Sequence, residues 1–215
     1  MNVAAIILAR GGSKGVKDKN LQKVGGLPLV GISIQNAINA GIDNVYVSTD
    51  KNSIGSVASK YGAEVISRPD ELSTDMSKSE EALLHFCEKI EHDICVFLQP
   101  TSPLLTPDFI KNGLEKMSDF DSVFSAYKKH WLPEWSENVL PINWSISDRP
   151  MRQNVSPTYV ENGAFYISKR ESILKTKLRY SGNIGIVEMP ESQSFQVDTL
   201  EDLILCNQLF NFLKK

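Results

Sequence analysis

Short, largely apolar runs recur along the first half of the chain at residues 3–9, 44–48, 64–66, 94–98 and 122–126. Runs of this length predict strands buried on both faces. Between them lie stretches of helical period. Residues 29–40 follow Pro28 and stop before Gly41, residues 51–61 stop before Gly62, residues 78–91 carry apolar positions at helical spacing, and residues 106–117 open on Thr106-Pro107-Asp108. Proline just inside a start and glycine just past an end are the expected punctuation of helices. Strands at 163–167 and 184–188 and a closing helix at 200–212 complete the pattern. Strand and helix alternating through short connections predict an α/β fold, a mostly parallel sheet with helices on both faces. Ligands of such sheets sit outside the carboxyl ends of the strands, so function is sought in the loops that follow strands.

The alternation breaks at residues 128–157, where Trp131, Trp135, Trp144 and several prolines stand among polar residues without a clear period. We read residues 1–215 as one domain with 128–157 as an inserted arm. Large aromatics on a protruding segment suit a subunit interface, which predicts a homodimer; a flap folded back on its own chain is the alternative.

Composition narrows the function classes. At 215 residues, with 41% hydrophobic and 23% charged positions, the chain can bury a large core and is expected to be ordered. A net charge of -3 argues against a nucleic-acid partner, which normally demands a basic surplus. Cys87, Cys95 and Cys206 lie far apart within apolar stretches and read as buried thiols, not as a metal site or a disulfide framework. No apolar run is long enough to span a bilayer, and the first strand lacks the basic leader and cleavage site of a secretory signal, so a cytoplasmic enzyme is the expectation.

Four segments carry candidate chemistry. Where the first strand ends, Ala9-Arg10-Gly11-Gly12-Ser13-Lys14-Gly15 leads on to Lys19 and Asn20. Its glycines let the backbone turn sharply and offer amides to phosphate oxygens, and Arg10, Lys14 and Lys19 add positive charge. The spacing is neither a Walker A loop nor a dinucleotide fingerprint. After the fourth run, Gln99-Pro100-Thr101-Ser102-Pro103 places polar side chains between two prolines, a rigid platform for a polyol or simply a turn that caps the next helix. Glu161-Asn162-Gly163-Ala164-Phe165-Tyr166 sets an amide, a glycine and a tyrosine at the head of a strand. Asp198, just before the last helix, is either a helix cap or a carboxylate for a hard cation such as magnesium.

Together these segments resemble the acylneuraminate cytidylyltransferases, the CMP-sialic acid synthetases and their relatives, over residues 3 to about 205. The resemblance implies a Rossmann-like nucleotidyltransferase fold with a dimerisation arm. It implies CTP and an acidic nine-carbon sugar as substrates, with Mg2+ or Mn2+ as cofactor. Arg10, Gly11, Gly12, Ser13, Lys14 and Lys19 are then implied at the triphosphate, Asn20 at the nucleotide, and Arg68 and Ser79 at cytosine. Gln99, Thr101, Ser102, Asn162 and Tyr166 are implied at the sugar, and Arg152 at its carboxylate across the dimer. Arg10, Lys14 and Asp198 are the implied catalytic set, with Asp198 the metal ligand. Many sialic acid members carry two aspartates before the last helix, where this chain has Gln196 and Asp198. A neutral amide supplies no second anionic ligand, and an aspartate at 196 is expected to be tolerated.

The expected reaction is attack by the anomeric hydroxyl of a 2-keto-3-deoxy acid on the α-phosphorus of CTP, with loss of pyrophosphate. Positioning and charge neutralisation drive such transfers, and no protein nucleophile or general base is assigned. The competing readings are a cytidylyltransferase for the eight-carbon acid Kdo, whose relatives look different at the loop after the fourth strand, and a nucleotide-binding module without chemistry.

Overall fold

A computed structural model describes residues 2–213. In chain order its elements are β1 (Val3–Leu8), the short pair β2 (Lys23–Val24) and β3 (Leu27–Pro28), α1 (Leu29–Asn39), β4 (Asn44–Thr49), α2 (Asn52–Lys60), β5 (Glu64–Ser67), α3 (Ser79–Lys89), β6 (Ile94–Leu98), α4 (Pro107–Lys116), β7 (Ser122–Lys129), β8 (Thr158–Lys169), α5 (Arg170–Thr176), β9 (Ile184–Glu188) and α6 (Leu200–Leu213). Every strand and helix expected from the hydrophobic pattern is present, with ends that differ by a few residues.

Seven strands form one sheet in the order β5-β4-β1-β6-β8-β7-β9. All neighbours are parallel except β8, which runs antiparallel to both β6 and β7. β1 shows why the runs look uniformly apolar. Ala5 and Ile7 face a core built with α1, α2 and α4, while Ala4 and Ile6 face a second core built with α3 and α5. Both faces are therefore dry, as expected. A smaller core joins Val24, Leu29, Ile32, Leu104, Val197 and Cys206 beneath α6. All three cysteines are buried and free.

β7 and β8 pair far beyond the strands expected from the sequence, out to Lys129 opposite Thr158. The arm grows from the tip of this antiparallel ladder. It holds the isolated bridges Trp135–Pro141 and Ser145–Asp148 and a 3-10 turn at Arg152–Asn154, with an edge-on contact between Trp135 and Trp144 at 5.0 Å and Arg149 over the Trp144 ring.

Candidate active site

Strand order reverses at β1, which has β4 on one side and β6 on the other. The crevice of an open α/β sheet lies at such a switch point, outside the strands' carboxyl ends. The loops leaving β1 and β6 both enter it. A pocket of about 520 Å3 opens there, lined by Arg10, Ser13, Lys14, Lys19, Asn20, Asp75, Ser79, Gln99, Thr101 and Asp198 among others. Residues far apart in sequence are thus brought together.

The glycine loop is shaped from inside the protein. Gly12 has φ of 69°, a left-handed turn that side chains resist. The Gly11 N–H donates to Asp50 Oδ1 at 2.7 Å, so this amide holds the loop to the residue just past β4. Buried Asn20 donates its side-chain amide to the Arg10 carbonyl at 2.9 Å and closes the loop on itself. A Cβ on Gly15 would collide with the Asp198 carbonyl, which is why the loop approaches the α6 end of the chain so closely. The loop after β6 is locked to both neighbours, because the Val197 N–H donates to Thr101 O at 2.8 Å and the Gln99 N–H to Ala164 O at 3.3 Å.

Charges in this pocket are paired. Arg10 and Lys14 each reach the Asp75 carboxylate at 2.9 Å, and Lys19 reaches Asp198 at the same distance. The hydrogen bond from Lys14, then that from Arg10, holds the Asp75 carboxyl below its ordinary value. Asp198 is not the cap of α6. Thr199 and Asp202 form that cap reciprocally: the Thr199 N–H donates to Asp202 Oδ2 at 2.8 Å, and the Asp202 N–H to Thr199 Oγ1 at 3.1 Å. The Asp198 side chain is left for the pocket, where it is 67% exposed.

A second pocket of about 520 Å3 adjoins the first and shares Gln99 and Asp198 with it; Tyr127, Glu161, Asn162, Tyr166 and Gln196 line its walls. Tyr166 donates to Glu161, stacks on Phe97 at 5.5 Å, and lies under the Arg179 guanidinium at 4.8 Å. Burial, reinforced by the Glu161 hydrogen bond, pushes the phenol well above its ordinary pKa, so it stays protonated and serves as a donor, not a base. Arg179 is held in turn by Glu80 at 2.6 Å. Asn162 is buried and fully engaged: Oδ1 accepts from Ser125 at 2.6 Å, and Nδ2 donates to Ser194 at 2.8 Å. It braces the irregularity between Phe124 and Ala126 where β7 slips against β8.

Gln196 has a structural task. Its amide nitrogen donates to the Asn162 carbonyl and lies 3.4 Å from the hydroxyl of buried Ser102. An aspartate there has no proton to give and would set a carboxylate against a carbonyl oxygen. Against the expectation that aspartate is tolerated at 196, we propose that losing this hydrogen bond loosens the wall of the second pocket.

Five residues implied by the resemblance line neither pocket: Gly11 and Gly12 within the glycine loop, buried Ser102 behind Gln196, Arg68 and Arg152. Arg68 is buried, with its guanidinium committed to the Ser48 hydroxyl at 3.0 Å and the Ser48 carbonyl at 2.8 Å. Burial lowers its pKa to about 10, and it braces the end of β4 beneath the glycine loop. Arg152 sits in an exposed turn of the arm. Sequence reasoning missed Asp75, Glu161 and Arg179. Asp75 lay within the implied cytosine segment and Glu161 beside Asn162, but nothing in periodicity marks an acid that meets its partners only through folding.

Comparisons with known proteins agree with this geometry. The sequence profile of the cytidylyltransferase family matches residues 4–189. N-acylneuraminate cytidylyltransferase B of Danio rerio is 37% identical over 205 residues, which cover 91% of this chain and 48% of that protein. The N-acylneuraminate cytidylyltransferase of Streptococcus agalactiae is 34% identical over 215 residues, with 95% and 52% covered. The chain spans about half the length of these curated relatives. Among solved structures, a CMP:2-keto-3-deoxy-manno-octonic acid synthetase complexed with CTP matches with a TM-score of 0.74 at 20% identity, covering 99% of this chain and 100% of that one. A 4-diphosphocytidyl-2C-methyl-D-erythritol synthase from Anaerococcus prevotii matches with a TM-score of 0.68 at 15% identity, covering 99% and 96%. At such identities the structures establish the nucleotidyltransferase fold alone. With the family profile spanning most of the chain and relatives above 30% identity along nearly all of it, this protein belongs to the cytidylyltransferase family.

Proposed function

We propose that the protein transfers the CMP group of CTP to an acidic nine-carbon sugar of the sialic acid type and releases pyrophosphate. The observation that carries this reading is the meeting of two pockets at Gln99 and Asp198, one rich in cations and the other lined by amides, tyrosines and the carboxylates Glu161, Asp198 and Asp202. A triphosphate held by Arg10, Lys14 and Lys19 would present its α-phosphorus at that seam, and a sugar in the second pocket would present its anomeric hydroxyl. The hydroxyl oxygen forms a bond to the α-phosphorus while the bond to the bridging oxygen of the β-phosphate breaks. The hydroxyl proton leaves to solvent or a substrate oxygen. Catalysis of this kind is positioning and charge neutralisation. The curated relatives bear the N-acylneuraminate name, and they favour the sialic acid type over the Kdo reading. Pyrophosphate release from CTP that depends on added sugar acid tests the proposal.

Asp198 would hold the magnesium or manganese ion. A hard cation takes one or two carboxylates with phosphate oxygens and water, and Asp198 borders both pockets and already carries a cationic group, the Lys19 ammonium. A divalent cation there supplies further neutralisation of the triphosphate. Gln196 stays with Asn162 and contributes no charge. No helix among the described residues is long and apolar enough to cross a membrane, and we place the reaction in the cytoplasm with its soluble nucleotide.

The same reading includes a homodimer formed through the arm. Leu132, Val139, Leu140, Ile142, Ile146 and Met151 are each more than half exposed there, and the indole N–H groups of Trp131 and Trp144 are buried without a partner among the described residues. Six exposed apolar side chains on one arm suit a second copy, and the partner's Arg152 would reach the sugar pocket from outside. Light scattering at micromolar concentration is expected to show a dimer. Leu140→Asp with Ile146→Asp is expected to give a monomer whose apparent affinity for the sugar acid falls about tenfold or more, a loss typical of one interfacial hot spot. A wild-type monomer with full activity would remove the arm from the site.

A further inference from the structure

We propose that Asp75 is a built-in occupant of the phosphate site, a carboxylate that neutralises Arg10 and Lys14 until a nucleotide phosphate displaces it and frees the segment leading to Ser79. The inference rests on the nucleotide reading given above and adds a means by which the empty and filled sites differ.

Three contacts hold the segment across the pocket. Arg10 donates to Asp75 Oδ1 at 2.9 Å and to the Ser73 carbonyl at 3.2 Å, and Lys14 reaches Asp75 Oδ2 at 2.9 Å. Each carboxylate oxygen thus takes one of the three cations proposed to hold the triphosphate. Carboxylate and phosphate present similar oxygen pairs to a guanidinium, so both anions compete for one set of donors. The two cannot share it. Lys19 and Asp198 repeat the arrangement with reversed sign, an ammonium resting on the carboxylate that would hold the divalent ion. Each of the three cations of the first pocket thereby rests on a carboxylate, with Asp75 shared by two of them.

Displacement of Asp75 has somewhere to act. Residues 73–78 run directly into Ser79, the first residue of α3 and itself a lining residue of the pocket. Thr74, Asp75, Met76 and Lys78 are exposed, Met76 by 88%, so the segment lies at the surface. The turn itself is built independently of the carboxylate, with the Thr74 N–H donating to Ser77 Oγ at 3.1 Å and Ser77 Oγ donating to the Glu71 carbonyl at 2.8 Å. Neutralising Asp75 should release the segment from the loop without unfolding it. Both ion pairs are substantially exposed, which limits the competition to a modest factor.

The test uses the full chain and inorganic pyrophosphate as the probe, with CTP in parallel. By calorimetry, Asp75→Asn is expected to bind pyrophosphate about 3- to 10-fold more tightly than wild type, the range set by losing two exposed ion-pair competitors. In a Lys14→Ala background the same substitution should give a smaller gain, because one of the contested cations is gone. Hydrogen exchange across residues 73–78 should rise when pyrophosphate is added to wild type, and should already be high in unliganded Asp75→Asn. Equal or weaker pyrophosphate binding by Asp75→Asn, or exchange at 73–78 that ignores the ligand, overturns the proposal. Pyrophosphate binding without CTP binding would instead count against the cytidylyl reading and leave Asp75 in its role.

Discussion

Alanine in place of Lys14 or Arg10 is expected to lower turnover by about 100-fold or more, the usual loss when one charge-assisted contact to a transferring phosphoryl group is removed. Lys14 is 77% exposed and packs against little, so its removal should leave the fold intact. Arg10 has a second duty, since its guanidinium ties the Ser73 carbonyl to the glycine loop. Its carbonyl, which anchors Asn20, survives the substitution. Arg10→Ala should therefore remain folded while raising the KM for CTP as well as lowering kcat. Steady-state rates with both substrates saturating, together with thermal unfolding, check this. Near-normal turnover in both variants would sink the assignment of the loop to phosphate.

Asp198→Asn is expected to remove the metal-dependent rate almost entirely, by about 100- to 1000-fold. The substitution keeps the shape and deletes the charge at the one carboxylate common to both pockets. Stability should barely change, because the start of α6 is capped by Thr199 and Asp202. A magnesium titration at saturating substrates separates the roles. An unchanged rate and midpoint in Asp198→Asn would place the cation elsewhere. Gln196→Asp provides the contrast. Its carboxylate would face the Asn162 carbonyl, so activity is expected to fall in step with looser binding of the sugar acid, with no gain in magnesium affinity.

Much of this was legible from the pattern of residues. Pro28, Gly41 and Gly62 mark helix ends, and the runs around Ile6, Val47 and Val96 mark strands buried on both faces. Direction was not legible. β8 reads as one more apolar run, yet it is the one reversed strand, because the arm joins β7 to β8 as a long hairpin and no crossover helix intervenes. The hairpin of β2 and β3 turns on Gly25 and Gly26, both at positive φ, a signal present in the sequence that the helical reading around it hid. α5 carries only a short apolar stretch around Ile173, too little for a period to show. At the site, cations and polar residues in the loops after β1 and β6 follow from residue type and position. Their partners do not. Asp75 meets Lys14, Asp198 meets Lys19, and Gln196 meets the Asn162 carbonyl only because three loops converge at the switch point. Arg68 shows the converse, a residue type suited to a ligand that folding commits to Ser48.

The most direct test of the account is pyrophosphate release by the wild-type protein with CTP and magnesium, measured across a panel of N-acetylneuraminic, deaminated, legionaminic, pseudaminic and Kdo acids, with UTP as the nucleotide control. The account predicts release that requires a nine-carbon acid and strongly prefers CTP, since a site that pairs with the cytosine edge would leave its polar groups unmatched by uracil. Release with Kdo alone, or no release with any acid while CTP still binds, would contradict it.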